Sequence, residues 1–196
     1  MTSLAQTATA GVWNLPNQIT VARLVISVLL FASLAQGAFV SALVLFILAA
    51  GTDWIDGYLA RKYQLVTQLG RILDPFADKL LILGTFTYLA AYPASGVGAW
   101  VAVVVLAREL LVTALRSFLE QKGHDFSATM SGKLKMVFQC ALTIASLMLL
   151  AQGATAPVWL PRVVTLLCWL TVASTIQSGW AYISASLHLV TAPDAD

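Results

Sequence analysis

Asp53-Trp54-Ile55-Asp56-Gly57-Tyr58-Leu59-Ala60-Arg61, followed by Gly70, Asp74 and Asp78, sets four aspartates within 26 positions of an apolar chain. An ionised carboxylate at membrane depth is costly, so ionisable residues there mark functional sites. Asp53 and Asp56 are three apart, and Asp74 and Asp78 four apart, so each pair falls on one helix face. Four acids share a site only when something cancels their repulsion. Hard oxygen ligands of this kind suit Mg²⁺, Mn²⁺ or Ca²⁺.

The surrounding chain fixes the setting. Of 196 residues, 59% are hydrophobic and 10% charged, against about 25% charged in soluble domains. Long apolar runs recur from Ile19 to Leu189. The expectation is an all-α, polytopic membrane protein of six transmembrane helices near 19–36, 38–60, 70–91, 97–119, 132–151 and 160–189. Residues 1–18 read as a cytoplasmic or interfacial segment, 19–189 as one domain and 190–196 as a tail. The first 18 residues hold no Lys, Arg or apolar core, unlike a signal peptide. A net charge of +2 with no basic tract argues against nucleic-acid binding. Cys140 and Cys168 lie within apolar spans and imply no disulfide framework.

Basic residues set the orientation. With a cytoplasmic N-terminus, Arg23, Arg61, Lys62, Arg71, Lys79, Arg108, Arg116, Lys122, Lys133 and Lys135 lie toward the cytoplasmic side, and Arg162 alone lies outside. At 1.5 Å per residue, Asp53 and Asp56 fall roughly 22 and 27 Å inward from Ala38. Asp78 and Asp74 fall roughly 20 and 26 Å inward from Ala91. All four therefore sit at one level near the cytoplasmic surface.

Two carboxylate pairs on neighbouring helices can hold two metal ions about 4 Å apart, an arrangement suited to phosphoryl chemistry. Gly57 and Ala60 admit close approach of a bulky anion, and Arg61 is placed for a bidentate grip on phosphate. The competing reading is buried ion pairs holding helices together. Residues 53–78 resemble the signature of the CDP-alcohol phosphotransferases, D-x2-D-G-x2-A-R-x8-G-x3-D-x3-D, at every fixed position. The resemblance implies a six-helix fold, usually homodimeric, a CDP-linked donor, displacement of CMP, and Mg²⁺ or Mn²⁺. It makes Asp53, Asp56, Asp74 and Asp78 metal ligands and Asp78 the general base. Asp53, Asp56, Gly57, Ala60, Arg61 and Gly70 would line the CDP site. The depth estimate suits a lipid-linked nucleotide such as CDP-diacylglycerol, with tails in the bilayer and pyrophosphate at the interface.

The acceptor is read from later segments. Arg108 falls near mid-membrane, and Arg116, Lys133 and Lys135 near the cytoplasmic edge. A basic pocket there favours a phosphorylated acceptor; alternatively the lysines snorkel to headgroups. Arg108 and Glu109 are neighbours that do not face each other on a helix, so each is expected to need its own buried partner. Asn14–Arg23, Ala107–Arg116 and Gly132–Gln139 resemble the phosphatidylglycerophosphate synthase branch, which implies glycerol 3-phosphate as acceptor. Met136 departs from that branch, which often has Thr there. Asn17, Thr20 and Arg23 either reach the nucleotide or cap and anchor the first helix. His124 and His188 read as ordinary surface histidines.

The implied mechanism is direct displacement. Asp78 deprotonates the acceptor hydroxyl, which attacks the lipid-side phosphorus, and CMP leaves. Phosphatidylinositol phosphate synthase and CDP-alcohol-type cardiolipin synthase are the nearest alternatives. From other classes, a cation transporter predicts polar residues continuing to the far side, where the spans hold almost none. A non-catalytic lipid-binding protein would not require an unbroken set of metal ligands. The site is expected to face the cytoplasm from an inner membrane.

Overall fold

The computed structural model describes residues 15–63, 68–121 and 130–191. Within those helices the side chains of 15–16, 53–63, 68–69, 71, 120–121, 130–131, 133, 185 and 187–191 lie outside the described set. The described residues form six long helices: α1 (Leu15–Ala35), α2 (Phe39–Tyr63), α3 (Gln68–Ala91), α4 (Ala99–Gln121), α5 (Met130–Gln152) and α6 (Trp159–Thr191). They coincide with the six apolar segments, each extended by a few residues at the polar end.

Among the described residues, three helices carry windows long and apolar enough to cross a bilayer: Asn17–Ala35, Leu134–Thr155 and Trp159–Ser184. The other three hold most of the charges; within the described part of α2, Phe39–Thr52 is an apolar stretch. Large apolar side chains such as Val28, Leu48, Val103, Leu110, Trp169 and Ile176 point outward. Outward-facing apolar side chains along helices of this length suit lipid, and the chain is an integral membrane protein.

Connections at one end are short. Gly37 (φ 69°), Gly96 (φ 75°) and Gly153 (φ 53°) take left-handed backbone there, a conformation that glycine adopts without a Cβ penalty. Three-residue 3-10 turns at Pro93–Ser95 and Gly153–Thr155 complete that end. The opposite end gathers the charged positions of α1 to α5.

Helix α1 packs on both α2 and α3, while α2 and α3 make little direct contact among the described residues. Helix α5 packs against α6 and α2, and α4 bridges α6 and α3. The fully buried side chains include Leu30, Leu34, Phe46, Phe86, Leu89 and Leu142. Gly84 lets α1 close on α3: a Cβ there would stand 2.3 Å from Phe31 Cζ. The Phe31 ring stacks on Tyr88 with centroids 5.8 Å apart. Helix α3 runs on through Pro75, which has no N–H to give to the carbonyl of Arg71 one turn back.

Candidate active site

Helix α1 carries a buried polar stripe, Asn17, Thr20, Arg23 and Ser27. Spacings of three and four put these residues on one face. That face meets the acidic face of α3. Thr20 Oγ1 donates to Asp74 Oδ1, and Arg23 Nη1 donates to Asp78 Oδ1 at 2.7 Å. Arg23 is fully buried, while the Asp78 side chain is 34% exposed. Ser27 Oγ returns to the Arg23 carbonyl at 2.8 Å. Thr20 and Arg23 lie inside α1 and form side-chain bonds across to α3, so a capping role does not describe them.

Asp74 and Asp78 are thus held one turn apart at the charged end of α3. Asp53 and Asp56 fall in the last part of α2, at the same end, and their side chains lie outside the described residues. So do those of Gly57, Ala60, Arg61 and Lys133. Gly70 is buried near the start of α3. Among the described residues no group of three or more His, Cys, Asp or Glu gathers for a metal. The donor chemistry nevertheless suits a hard cation, since carboxylate oxygens such as those of Asp74 and Asp78 are the ligands that hard cations take.

Beside Asp78 opens a cavity of about 180 Å³ lined by Pro75, Asp78, Lys79, Ile82, Glu109, Arg116, Lys135, Met136 and Gln139. A second, of about 580 Å³, shares Pro75, Lys79, Glu109 and Arg116 with it and adds Arg108, Val112, Thr113 and Ser117. Arg116 and Lys135 line the first cavity together with Asp78. Arg108 reaches only the second cavity of the pair.

Glu109 organises the cations. Its Oε1 accepts from Lys135 Nζ and from Arg108 Nη1 at 3.0 Å. Each thus has the separate partner expected of it, Lys135 for Glu109 and Ser178 for Arg108; what is corrected is that the two neighbours do not face each other, since both side chains are long enough to curl around the helix and meet. Arg108 also donates to Ser178 Oγ on α6. Arg116 Nη2 donates to the Tyr182 hydroxyl at 3.0 Å. The two guanidinium carbons lie 5.7 and 5.8 Å from the Tyr182 ring centroid, within cation–π range. Gly179 keeps that surface of α6 low, since a Cβ there would stand 3.4 Å from Arg108 Cγ.

Sequence reasoning gave no site role to Lys79, Gln139, Ser178 or Tyr182. The available signal was the polar residue on an otherwise apolar helix: Ser178 and Tyr182 are four apart on α6, and Lys135 and Gln139 four apart on α5. Met136 lines the cavity, so the position that departs from the resembled branch faces the space beside Asp78.

A family model described as CDP-alcohol phosphatidyltransferase matches residues 13–177. A Bacillus subtilis (strain 168) protein named "CDP-diacylglycerol--glycerol-3-phosphate 3-phosphatidyltransferase" is 36% identical over 187 residues, covering 88% of this chain and 94% of its own. A Rickettsia typhi protein of the same name is 36% identical over 176 residues, covering 88% and 96%. A Salmonella choleraesuis protein of that name is 31% identical over 181 residues, covering 89% and 95%. With the match extending from before α1 into α6, the chain belongs to the CDP-alcohol phosphatidyltransferase family.

Proposed function

We propose that the protein transfers the phosphatidyl group of CDP-diacylglycerol to the primary hydroxyl of sn-glycerol 3-phosphate, forming phosphatidylglycerophosphate and releasing CMP. The observation that carries this reading is the cavity in which the Asp78 carboxylate faces Lys79, Arg116 and Lys135. A base and three cations in one small space suit an acceptor with a hydroxyl at one end and a phosphate at the other. The names of the similar proteins give the same donor and acceptor.

The acceptor phosphate binds Arg116, Lys135 and Lys79, with Lys133 and Arg108 adding positive charge around it. Glu109 holds Lys135 in place by its ion pair. Asp78 accepts the proton of the primary hydroxyl, and Arg23 fixes the carboxylate that does so. The freed oxygen attacks the lipid-side phosphorus in line, the phosphoanhydride bond breaks, and CMP leaves. Gly57, Ala60, Arg61 and Gly70 border the nucleotide.

Asp53, Asp56, Asp74 and Asp78 would hold the divalent metal, Mg²⁺ or Mn²⁺, as two ions. The chemistry such ions would supply is neutralisation of phosphate charge during the transfer. The charged end of the bundle faces the cytoplasm, as the distribution of Lys and Arg favours, and the protein works as a homodimer in an inner membrane.

Purified protein given CDP-diacylglycerol, glycerol 3-phosphate and Mg²⁺ releases CMP and forms phosphatidylglycerophosphate. A chelator stops the reaction and added Mg²⁺ restores it. Absence of CMP release from folded protein overturns the reading.

A further inference from the structure

The wall of the Asp78 cavity contains one neutral hydrogen-bonding side chain among the described residues that line it, Gln139. The rest of the lining is charged (Asp78, Lys79, Glu109, Arg116, Lys135) or apolar (Pro75, Ile82, Met136). Gln139 is 2% exposed, and its Nε2 is buried with no hydrogen-bond partner among the described residues. Buried amides are nearly always paired, and an unpaired one in a cavity wall calls for an explanation. Lys135 and Gln139 are four apart on α5 and therefore share the face turned to the cavity.

We propose that the Gln139 amide binds the middle hydroxyl of the glycerol 3-phosphate acceptor and makes the site selective for an acceptor that has one. The inference rests on the transferase reading above. An acceptor whose phosphate lies on Arg116 and Lys135, with its primary hydroxyl on Asp78, is anchored at both ends. Its remaining polar group is the hydroxyl on the central carbon. Lys79, Arg116 and Lys135 are engaged by phosphate, and Glu109 by Lys135 and Arg108. Met136 offers only a weak thioether acceptor. Gln139 is left as the group able to serve that hydroxyl, and the hydroxyl in turn supplies the bond its amide lacks. A site built around such a bond rejects analogues without the hydroxyl, because the buried amide then stays unpaired.

The test uses 3-hydroxypropyl phosphate, which differs from glycerol 3-phosphate by the absence of the middle hydroxyl. CMP release is measured with each acceptor for the full-length wild type and for Gln139→Met, an unbranched side chain of similar size without the amide. Wild type is expected to prefer glycerol 3-phosphate by about 10- to 100-fold in kcat/KM. In Q139M that preference falls to within about 3-fold through loss with glycerol 3-phosphate, while the analogue is used as by wild type and KM for CDP-diacylglycerol is unchanged. Gln139→Leu, equally without a donor, gives the same collapse and serves if Q139M does not accumulate. Equal use of the two acceptors by wild type overturns the proposal without any variant. So does an unchanged preference in both variants, or an equal loss with both acceptors. These outcomes leave the transferase reading standing, whereas no CMP release by folded wild type with glycerol 3-phosphate overturns that reading and this proposal with it.

Discussion

Arg23 Nη1 stands 2.7 Å from Asp78 Oδ1, joining positions 55 residues apart. A fully buried guanidinium on α1 thus meets the acidic face of α3, and the neighbouring Thr20–Asp74 bond repeats the contact one turn along. Arginine is costly to bury unless paired. Its place here ties the first helix of the bundle to the carboxylate proposed as base. Removing the base with Asp78→Asn should lower kcat by about 10²- to 10⁴-fold. Arg23→Met should lower it less, about 10- to 100-fold, by loosening the carboxylate. Single-turnover CMP release measures both, and a D78N protein with near-wild-type turnover removes Asp78 as the base.

Glu109 balances Lys135 and Arg108 within a largely buried cluster. Glu109→Gln leaves two cations without their carboxylate, and breaking buried pairs in this way costs about 3–5 kcal/mol. The variant should melt lower in detergent and bind acceptor with higher KM. The double variant E109Q/K135M should recover part of the lost stability but none of the activity. A double-mutant cycle reads the coupling, and additivity of the two changes argues against the pair.

Arg116 is held by the Tyr182 hydroxyl and ring, and the proposed function makes it a ligand of the acceptor phosphate. Arg116→Lys keeps the charge but loses the planar donors. KM for glycerol 3-phosphate should rise by about 10-fold, with KM for CDP-diacylglycerol unchanged. Tyr182→Phe should raise the same KM more modestly. Initial-rate kinetics over both substrates separate the two effects.

Away from the site, Gly84→Ala places a methyl against the Phe31 ring. Overpacking of this kind costs about 1–3 kcal/mol. Thermal melting should show the loss, and Phe31→Leu in the same chain should restore part of it. No restoration means that the α1–α3 spacing does not depend on this contact.

The helices were legible because apolar runs and their polar breaks are local. Depth arithmetic on α2 and α3 put the aspartates at the same end of the bundle, since helical rise is fixed by the backbone. The same arithmetic put Arg116 and Lys135 near that level, but not in a common cavity. Pairings across helices were not legible. Thr20 with Asp74, Arg23 with Asp78 and Arg116 with Tyr182 depend on how helices far apart in sequence rotate against each other. The Arg108–Glu109 contact escaped a rule about backbone faces because long side chains reach around them. Gln139 stood within a quoted segment, but only its burial beside the cavity separates it from an ordinary polar residue.

The most direct measurement is CMP release by purified protein from CDP-diacylglycerol and Mg²⁺, with glycerol 3-phosphate, inositol phosphate, serine and phosphatidylglycerol offered separately. Release with glycerol 3-phosphate alone is the predicted result. Release with another acceptor in preference to it contradicts the assignment of the Asp78 cavity to glycerol 3-phosphate.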